Sequence, residues 1–168
     1  MRILVAALVV GVIAFGAVWW FTGNRSARDS AVQPALNPSV ASGSGATPGY
    51  VQRDKGEGGV EIEVTYVTPE YMRSGGKDAQ RYEPDKYAVF LVSMNTHSVD
   101  LSGYDMVKIS ELRAGGKTLA PLRWVSTSDD SHHRAGALIF PKVALAQAVE
   151  LVIKTVAGVP ARTFRWTP

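Results

Sequence analysis

The most constraining feature of the sequence is a run at residues 87–94 that is apolar at almost every position, comprising Ala88, Val89, Phe90, Leu91, Val92 and Met94. Successive side chains of a β-strand point to opposite faces, so a strand of this composition must be covered on both faces. A polar turn follows directly at residues 95–98, with Asp100 and Asp105 beyond it. The run therefore predicts a central buried strand that feeds a loop rich in potential ligands.

Other segments with strand-like composition lie at regular intervals along residues 57–168. Alternating apolar and polar residues or β-branched runs, bounded by glycine and proline, predict seven strands, at residues 60–67, 87–94, 105–110, 118–124, 135–140, 149–156 and 162–166. Pro121 limits the fourth segment to an edge or a bulge. The count and the spacing predict an all-β fold, a seven-stranded antiparallel immunoglobulin-like β-sandwich.

The connections and the core can be sketched from the same pattern. Two R-x-G-G-K sequences, at residues 73–77 and 113–117, predict hairpin loops in which glycine takes a positive φ. The alanine-rich residues 142–149 favour a helical turn. On the last strand we expect the arginines on the face opposite Phe164 and Trp166. The expected large core residues are Phe90, Trp124, Phe140, Phe164 and Trp166.

The N-terminal residues 1–23 have the composition of a membrane anchor. Residues 3–21 are 19 residues without a charge, which as a helix is about 28 Å long, against about 30 Å for the hydrocarbon core of a bilayer. Trp19, Trp20 and Phe21 end the run where an aromatic belt sits. A cleaved signal peptide is the alternative, but the run is long and no small-x-small cleavage site follows. We expect one transmembrane helix, with the C-terminal domain facing the periplasm or the cell exterior.

Residues 24–56 are rich in Ser, Ala, Gly and Pro and predict a disordered linker. Residues 1–56 carry five basic and two acidic residues, a net charge of +3, whereas residues 57–168 carry 13 of each. A nucleic-acid-binding domain carries its positive charge on a face of the fold. The neutral domain therefore argues against nucleic acid as a partner.

In its seven-strand spacing and its single-span anchor, the chain resembles extracytoplasmic immunoglobulin-like or cupredoxin-like modules of bacterial envelope proteins. The resemblance covers residues 57–168 and is one of architecture. A blue-copper centre needs a cysteine ligand, and the chain has no cysteine. The resemblance implies a binding or accessory module with an envelope protein as partner.

Three histidines and a few carboxylates are the residues with the clearest chemical potential. His97, His132 and His133 lie in predicted loops, and loops distant in sequence meet at one end of a sandwich. Together with Asp100 they offer nitrogen and oxygen ligands of the kind that Zn²⁺ or Cu²⁺ takes. The alternative is that His97 only bonds loop backbone and that residues 129–134 form a solvated loop.

The sequence gives little support for catalysis. Serines are scattered through the predicted loops without a G-x-S-x-G pattern, and no nucleophile is placed beside a base. We therefore expect no enzyme activity. The expected function is that of a membrane-anchored binding or accessory module of an envelope complex, with a zinc- or copper-binding domain as the alternative.

Overall fold

The structure, a computed structural model, describes residues 49–168. The predicted transmembrane anchor at residues 1–23 and most of the predicted linker lie outside the described residues. Within residues 49–168, no helix has the length and the apolar composition needed to cross a membrane.

Nine strands form two antiparallel sheets packed as a sandwich. The strands are β1 (Val51–Arg53), β2 (Val60–Tyr66), β3 (Tyr87–Thr96), β4 (Ser110–Ala114), β5 (Lys117–Leu119), β6 (Arg123–Asp129), β7 (His133–Pro141), β8 (Val149–Val156) and β9 (Val159–Trp166). The five-stranded sheet has the order β1-β2-β3-β7-β6, and the four-stranded sheet has the order β5-β4-β8-β9. The predicted two-sheet antiparallel architecture is confirmed, with nine strands in place of seven.

Strand β3 lies at the centre of the five-stranded sheet, between β2 and β7. Its inner face, including Phe90 and Met94, packs into the core between the sheets. Its outer face carries Val89 and Leu91, which pack in a second cluster with Tyr82. The second cluster exists because α1 (Pro69–Arg73) and a 3₁₀ helix, Lys77–Tyr82, lie in the connection from β2 to β3. The prediction of a strand buried on both faces is confirmed.

Aromatic side chains form the centre of the main core. The rings of Tyr66 and Phe90 stack with centroids 4.6 Å apart, and Phe90 meets the ring of Phe140 at 5.7 Å and that of Trp166 at 5.3 Å. Four of the five expected large residues are buried in this core, and Trp124 is half-buried at its margin.

Two predicted strands have a different structure. Residues 106–109 form one helical turn, α2 (Met106–Ile109), because the Asp105 side chain accepts hydrogen bonds from the N–H groups of Val107 and Lys108. The strand begins only at the next residue, as β4. The predicted strand at 118–124 is interrupted at Pro121, which separates β5 in one sheet from β6 in the other.

One of the two R-x-G-G-K sequences forms the predicted hairpin. Gly115 and Gly116 join β4 to β5 with φ of 56° and 73°. A two-residue type I′ hairpin turn requires a positive φ at both of its central residues. Residues 73–77 instead end α1 and lead into the 3₁₀ helix, so that prediction was wrong. A Cβ at Gly76 would lie 2.2 Å from the ring of Tyr71, so glycine there allows close packing.

The alanine-rich connection before β8, which favoured a helical turn, has a different structure. Residues 145–146 form a turn, and residues 142–148 contain no helix.

The ordered domain begins earlier than its predicted boundary at residue 57. Strand β1 pairs with β2 through Val51–Arg53, so the end of the predicted linker belongs to the sheet. Asp54 then forms an ion pair with Arg162, 2.7 Å between Oδ2 and Nε. Arg162 lies on the same face of β9 as Phe164 and is 4% exposed, so the prediction that the arginines share the other face holds only for Arg165.

Candidate functional site

The three histidines lie at the end of the sandwich where β3 ends and β7 begins. The antiparallel register places Asn95 opposite His133, and the N–H of Thr96 donates to the carbonyl of His132 at 3.0 Å. His97, His132 and His133 line one shallow cavity of about 340 Å³, together with Thr96 and Asp130. The expected meeting of these two loops is therefore found.

Local hydrogen bonds hold this cluster in place. Asp130 Oδ1 accepts from the N–H groups of His132 and His133 at 2.8 and 3.2 Å, and these two bonds lower the pKa of the Asp130 carboxyl. His133 Nδ1 lies 3.0 Å from Asn95 Oδ1, and His132 Nδ1 lies 3.1 Å from Ser131 Oγ. The imidazoles of His132 and His133 are thus oriented by neighbouring polar side chains.

Asp100 is held by its own loop, outside the wall of this cavity. Its Oδ1 accepts from the hydroxyl and the N–H of Ser102 at 2.6 and 2.9 Å, which lowers the pKa of the carboxyl, with a smaller contribution from His132. Among residues 49–168, no three histidine or acidic side chains are grouped so that they would hold a metal ion. The zinc or copper site at His97, His132, His133 and Asp100 stays a prediction.

A buried arginine that the sequence did not single out fixes the loop between β3 and α2. Arg134 on β7 donates from one guanidinium nitrogen to the carbonyls of Leu101, at 2.8 Å, and Tyr104. Its Nε lies 3.4 Å from the carboxylate of Asp129. Its side chain is 9% exposed, so its role is to position the loop that carries His97.

A larger and more apolar cavity lies at the opposite end of the sandwich. Its volume is about 380 Å³, and the first and last parts of the described chain contribute to it. Tyr50, Tyr66 and Trp166 supply aromatic surface, and Pro69 and Val149 supply aliphatic surface. This size lies in the range of about 300–1,000 Å³ that is usual for ligand sites.

Hydrogen bonds fix the aromatic wall of this cavity. Trp166 Nε1 donates to the carbonyl of Tyr50 at 3.1 Å, and the Tyr50 hydroxyl lies 2.9 Å from Ser74 Oγ. The rings of Tyr50 and Tyr71 meet edge to face with centroids 5.3 Å apart. Burial raises the pKa of the Tyr66 phenol. These contacts hold the aromatic side chains of the cavity wall in fixed positions.

The rim of the cavity combines an exposed apolar side chain with charges. Leu145 is 48% exposed, and Glu70, Arg73 and Gln147 are also among the lining residues. Within residues 49–168, neither Glu70 nor Arg73 takes part in an ion pair.

An apolar base with a polar rim suits an aromatic or aliphatic side chain of a partner, with polar contacts at its edge. The sequence analysis missed this site, because its residues come from four distant segments of the chain and no single segment indicates a cavity. Comparisons with known protein families, with curated proteins and with solved structures give no match for this chain.

Proposed function

We propose that this protein is a single-span membrane-anchored binding module whose β-sandwich recognises an envelope protein outside the cytoplasm. In this proposal the sandwich belongs to the immunoglobulin-like or cupredoxin-like kind of envelope module. The observation that carries the proposal is the aromatic cavity with the exposed Leu145 at its rim. A concave site with aromatic and aliphatic walls and a polar rim is the kind of pocket into which a partner's apolar anchor side chain fits.

The chemistry of the cavity favours a protein segment as ligand. Its base accepts an apolar or aromatic side chain, and Arg73 and Glu70 offer a charge of each sign to the flanking residues of the same segment. The position of the cavity also fits an anchored module, because Gly49 and Tyr50, where the described chain begins, line it. The uncharged stretch at residues 3–21, which ends in Trp19, Trp20 and Phe21, supports the anchor.

A photocrosslinking amino acid placed at Leu145 tests the binding site in the full chain, in its own membrane. The matched control is Leu122, which is 54% exposed and is not among the residues lining the cavity. We expect a discrete adduct with an envelope protein from position 145, competed by excess unlabelled full chain. Adducts of the chain with itself are identified by mass and scored separately. The same adducts from both positions, or none from position 145, would contradict the proposed site.

Fractionation tests the anchor independently. We expect the full chain to stay in the membrane pellet after carbonate extraction, and a variant without residues 1–23 to be soluble. A full chain that is released by carbonate, or that has lost its first residues, would refute the anchor while leaving the cavity's binding role open.

A second candidate function is zinc or copper binding by the histidine cluster. The observation in its favour is that His97, His132 and His133 line one cavity. Calorimetric titration of the full chain with Zn²⁺ and Cu²⁺, against a variant with all three histidines changed to alanine, tests it. Binding that the variant loses supports the site, and binding of equal strength in both proteins counts against it.

A further inference from the structure

The outer face of the five-stranded sheet is covered along only part of its strands. The connection from β2 to β3 packs on Val89 and Ile139. Further along the same sheet, Glu63, Ser93 and Ala135 form a cross-strand row that is only half-buried. The edge of the covering connection therefore forms a wall beside an accessible floor, and the two enclose a cleft of about 270 Å³.

The floor of this cleft combines small side chains with one larger apolar group. Ser93 and Ala135 are small, and Leu91, two residues before Ser93 on the same face of β3, is half-buried. Thr127 adds a hydroxyl from β6. A ligand can therefore approach the sheet closely, with apolar contact at Leu91 and hydrogen bonds to the hydroxyl groups beside it.

The wall of the cleft carries two charged side chains from the 3₁₀ helix, Asp78 and Arg81. They do not pair with one another, and within residues 49–168 neither takes part in any other ion pair. The guanidinium carbon of Arg81 lies 4.9 Å from the centroid of the Tyr82 ring, a contact that orients the guanidinium group. Both charged groups therefore remain available to bond a ligand.

The charges of the cleft balance. Asp78 and Arg81 contribute one charge of each sign, and Glu63, the third charged lining residue, is paired with Arg53. A ligand with a net charge is attracted by one group of the wall and repelled by the other. The apolar surface at Leu91 is small for the large anchor side chain on which a protein interface depends. The cleft therefore suits an uncharged ligand that carries many hydroxyl groups.

We propose that this cleft binds an uncharged oligosaccharide chain. The Asp78 carboxylate accepts hydrogen bonds from sugar hydroxyls, and Arg81 donates to their oxygen atoms. The C–H face of a sugar ring packs on Leu91 and Tyr71, which also lines the cleft. A second polar cavity, of about 420 Å³, adjoins the cleft at Glu63, so there is room for more than one sugar ring.

The oligosaccharide site is independent of the protein partner proposed above. The cleft and the aromatic cavity have no lining residue in common. A failure to bind oligosaccharide therefore leaves the adduct expected from position 145 untouched, and the absence of that adduct leaves the cleft untouched.

Isothermal titration of the full chain with four uncharged hexasaccharides, cellohexaose, laminarihexaose, chitohexaose and maltohexaose, tests the proposal. The chain is kept in micelles of a detergent without a sugar headgroup, so that the detergent does not compete. We expect at least one hexasaccharide to bind, with a Kd that changes less than about twofold between about 50 and 500 mM NaCl, because the ligand carries no charge to be screened. No binding of any of the four, or binding that is lost at high salt, would overturn the proposal.

Substitutions in the wall locate the site. Asp78→Asn and Arg81→Gln each remove the charge from a hydrogen bond to the ligand, and we expect each to weaken binding about tenfold. The matched control is Asp85→Asn, an exposed residue of the same connection that is not among the lining residues, and it should bind like the parent. A melting temperature equal to that of the parent shows that each variant is folded. Parent-like affinity in both wall variants would overturn the site.

Protection of an introduced cysteine gives a second readout that leaves the wall intact. The chain has no cysteine of its own, so a maleimide reagent modifies only Thr127→Cys in the cleft or, as the control, Thr163→Cys, exposed on β9 of the other sheet. A hexasaccharide at about ten times its Kd should slow the labelling of Thr127→Cys about tenfold and leave that of Thr163→Cys unchanged. Equal labelling of Thr127→Cys with and without the hexasaccharide would overturn the assignment to this cleft.

Discussion

The ion pair between Asp54 and Arg162 provides the sharpest test of where the folded domain begins. Asp54 lies in the segment that composition assigns to a linker, yet its Oδ2 accepts from Arg162 Nε at 2.7 Å. Its Oδ1 accepts from the N–H groups of Ile62 and Gly56 at 2.9 and 3.1 Å. The Arg162 side chain is 3% exposed and donates further to the carbonyls of Val156, at 2.7 Å, and Glu57. We predict that Asp54→Ala severely destabilises the domain.

The expected size follows from what the substitution leaves behind. Removing one partner of a buried pair leaves an uncompensated charge in the protein, which costs about 3–5 kcal/mol. The exposed pair of Arg53 with Glu63 is the matched control, because its side chains are 63% and 38% exposed. Exposed pairs contribute about 0–1 kcal/mol, so Glu63→Ala should have little effect. Asp54→Asn keeps the Oδ1 acceptor and should fall between the two.

Urea unfolding of the full chain in detergent, followed by far-ultraviolet circular dichroism, measures these differences. A double-mutant cycle with Arg162→Met separates the pair energy from the loss of the backbone contacts of Asp54. If Asp54→Ala and Glu63→Ala shift the midpoint equally, the segment before β2 is not part of the cooperative fold, and the reasoning fails.

Three further predictions concern single features of the sandwich. A Cβ at Gly136 would lie 2.5 Å from both the ring of Trp124 and the carbonyl oxygen of Val125, so Gly136→Ala should lower the free energy of unfolding by about 1–3 kcal/mol. The control is Gly103→Ala, whose Cβ meets open space and which should lower it far less in the same urea titration. Thr155 is β-branched with a φ of 59°, so Thr155→Gly should raise stability by about 1 kcal/mol, and a lower melting temperature would contradict the strain. Hydrogen bonds from Lys154 to Glu111 and from Arg165 to Glu150 lower the pKa values of these two carboxyls. The stability that the two ionised carboxylates contribute to the fold is therefore present above the ordinary carboxyl pKa and is lost as the pH falls through the lowered pKa values. A variant with both changed to glutamine should therefore lose less stability on acidification than the parent, and parallel pH profiles would exclude this role.

The long strands could be predicted because a buried strand face leaves a local pattern in the sequence, either alternating apolar residues or a continuous apolar run. Strand β8 was predicted with its observed bounds, and β3 was recognised from an apolar run that required cover on both faces. The cover itself was not predicted, because Pro69 and the two glycines after α1 were interpreted as breaks. At Asp105 a short-range side-chain cap decided the local structure, against the strand-like composition that follows it.

Contacts between distant segments account for what the sequence could not show. The period-2 alternation of β9 places Arg162 on the face of Phe164 and Trp166 and Arg165 on the other face. It does not show the partner that the burial of Arg162 depends on, because Asp54 lies 108 residues earlier in the chain. The meeting of the histidine loops at one end was expected, because the two strands that carry them were predicted. The cavity beside Leu145 needs segments from both ends of the domain, so no single stretch indicates it.

The attachment of β1 has a mechanical consequence for a domain held by its N-terminal side. A pulling force applied through the chain before Gly49 first meets Tyr50, whose carbonyl accepts from Tyr66 on β2 and from Trp166 on β9, and then the three paired residues Val51–Arg53. Once these contacts have yielded, the load falls on the contact of Asp54 with Arg162, which belongs to the other sheet. Tension is thereby shared between both layers before the strand at the centre of the core is strained.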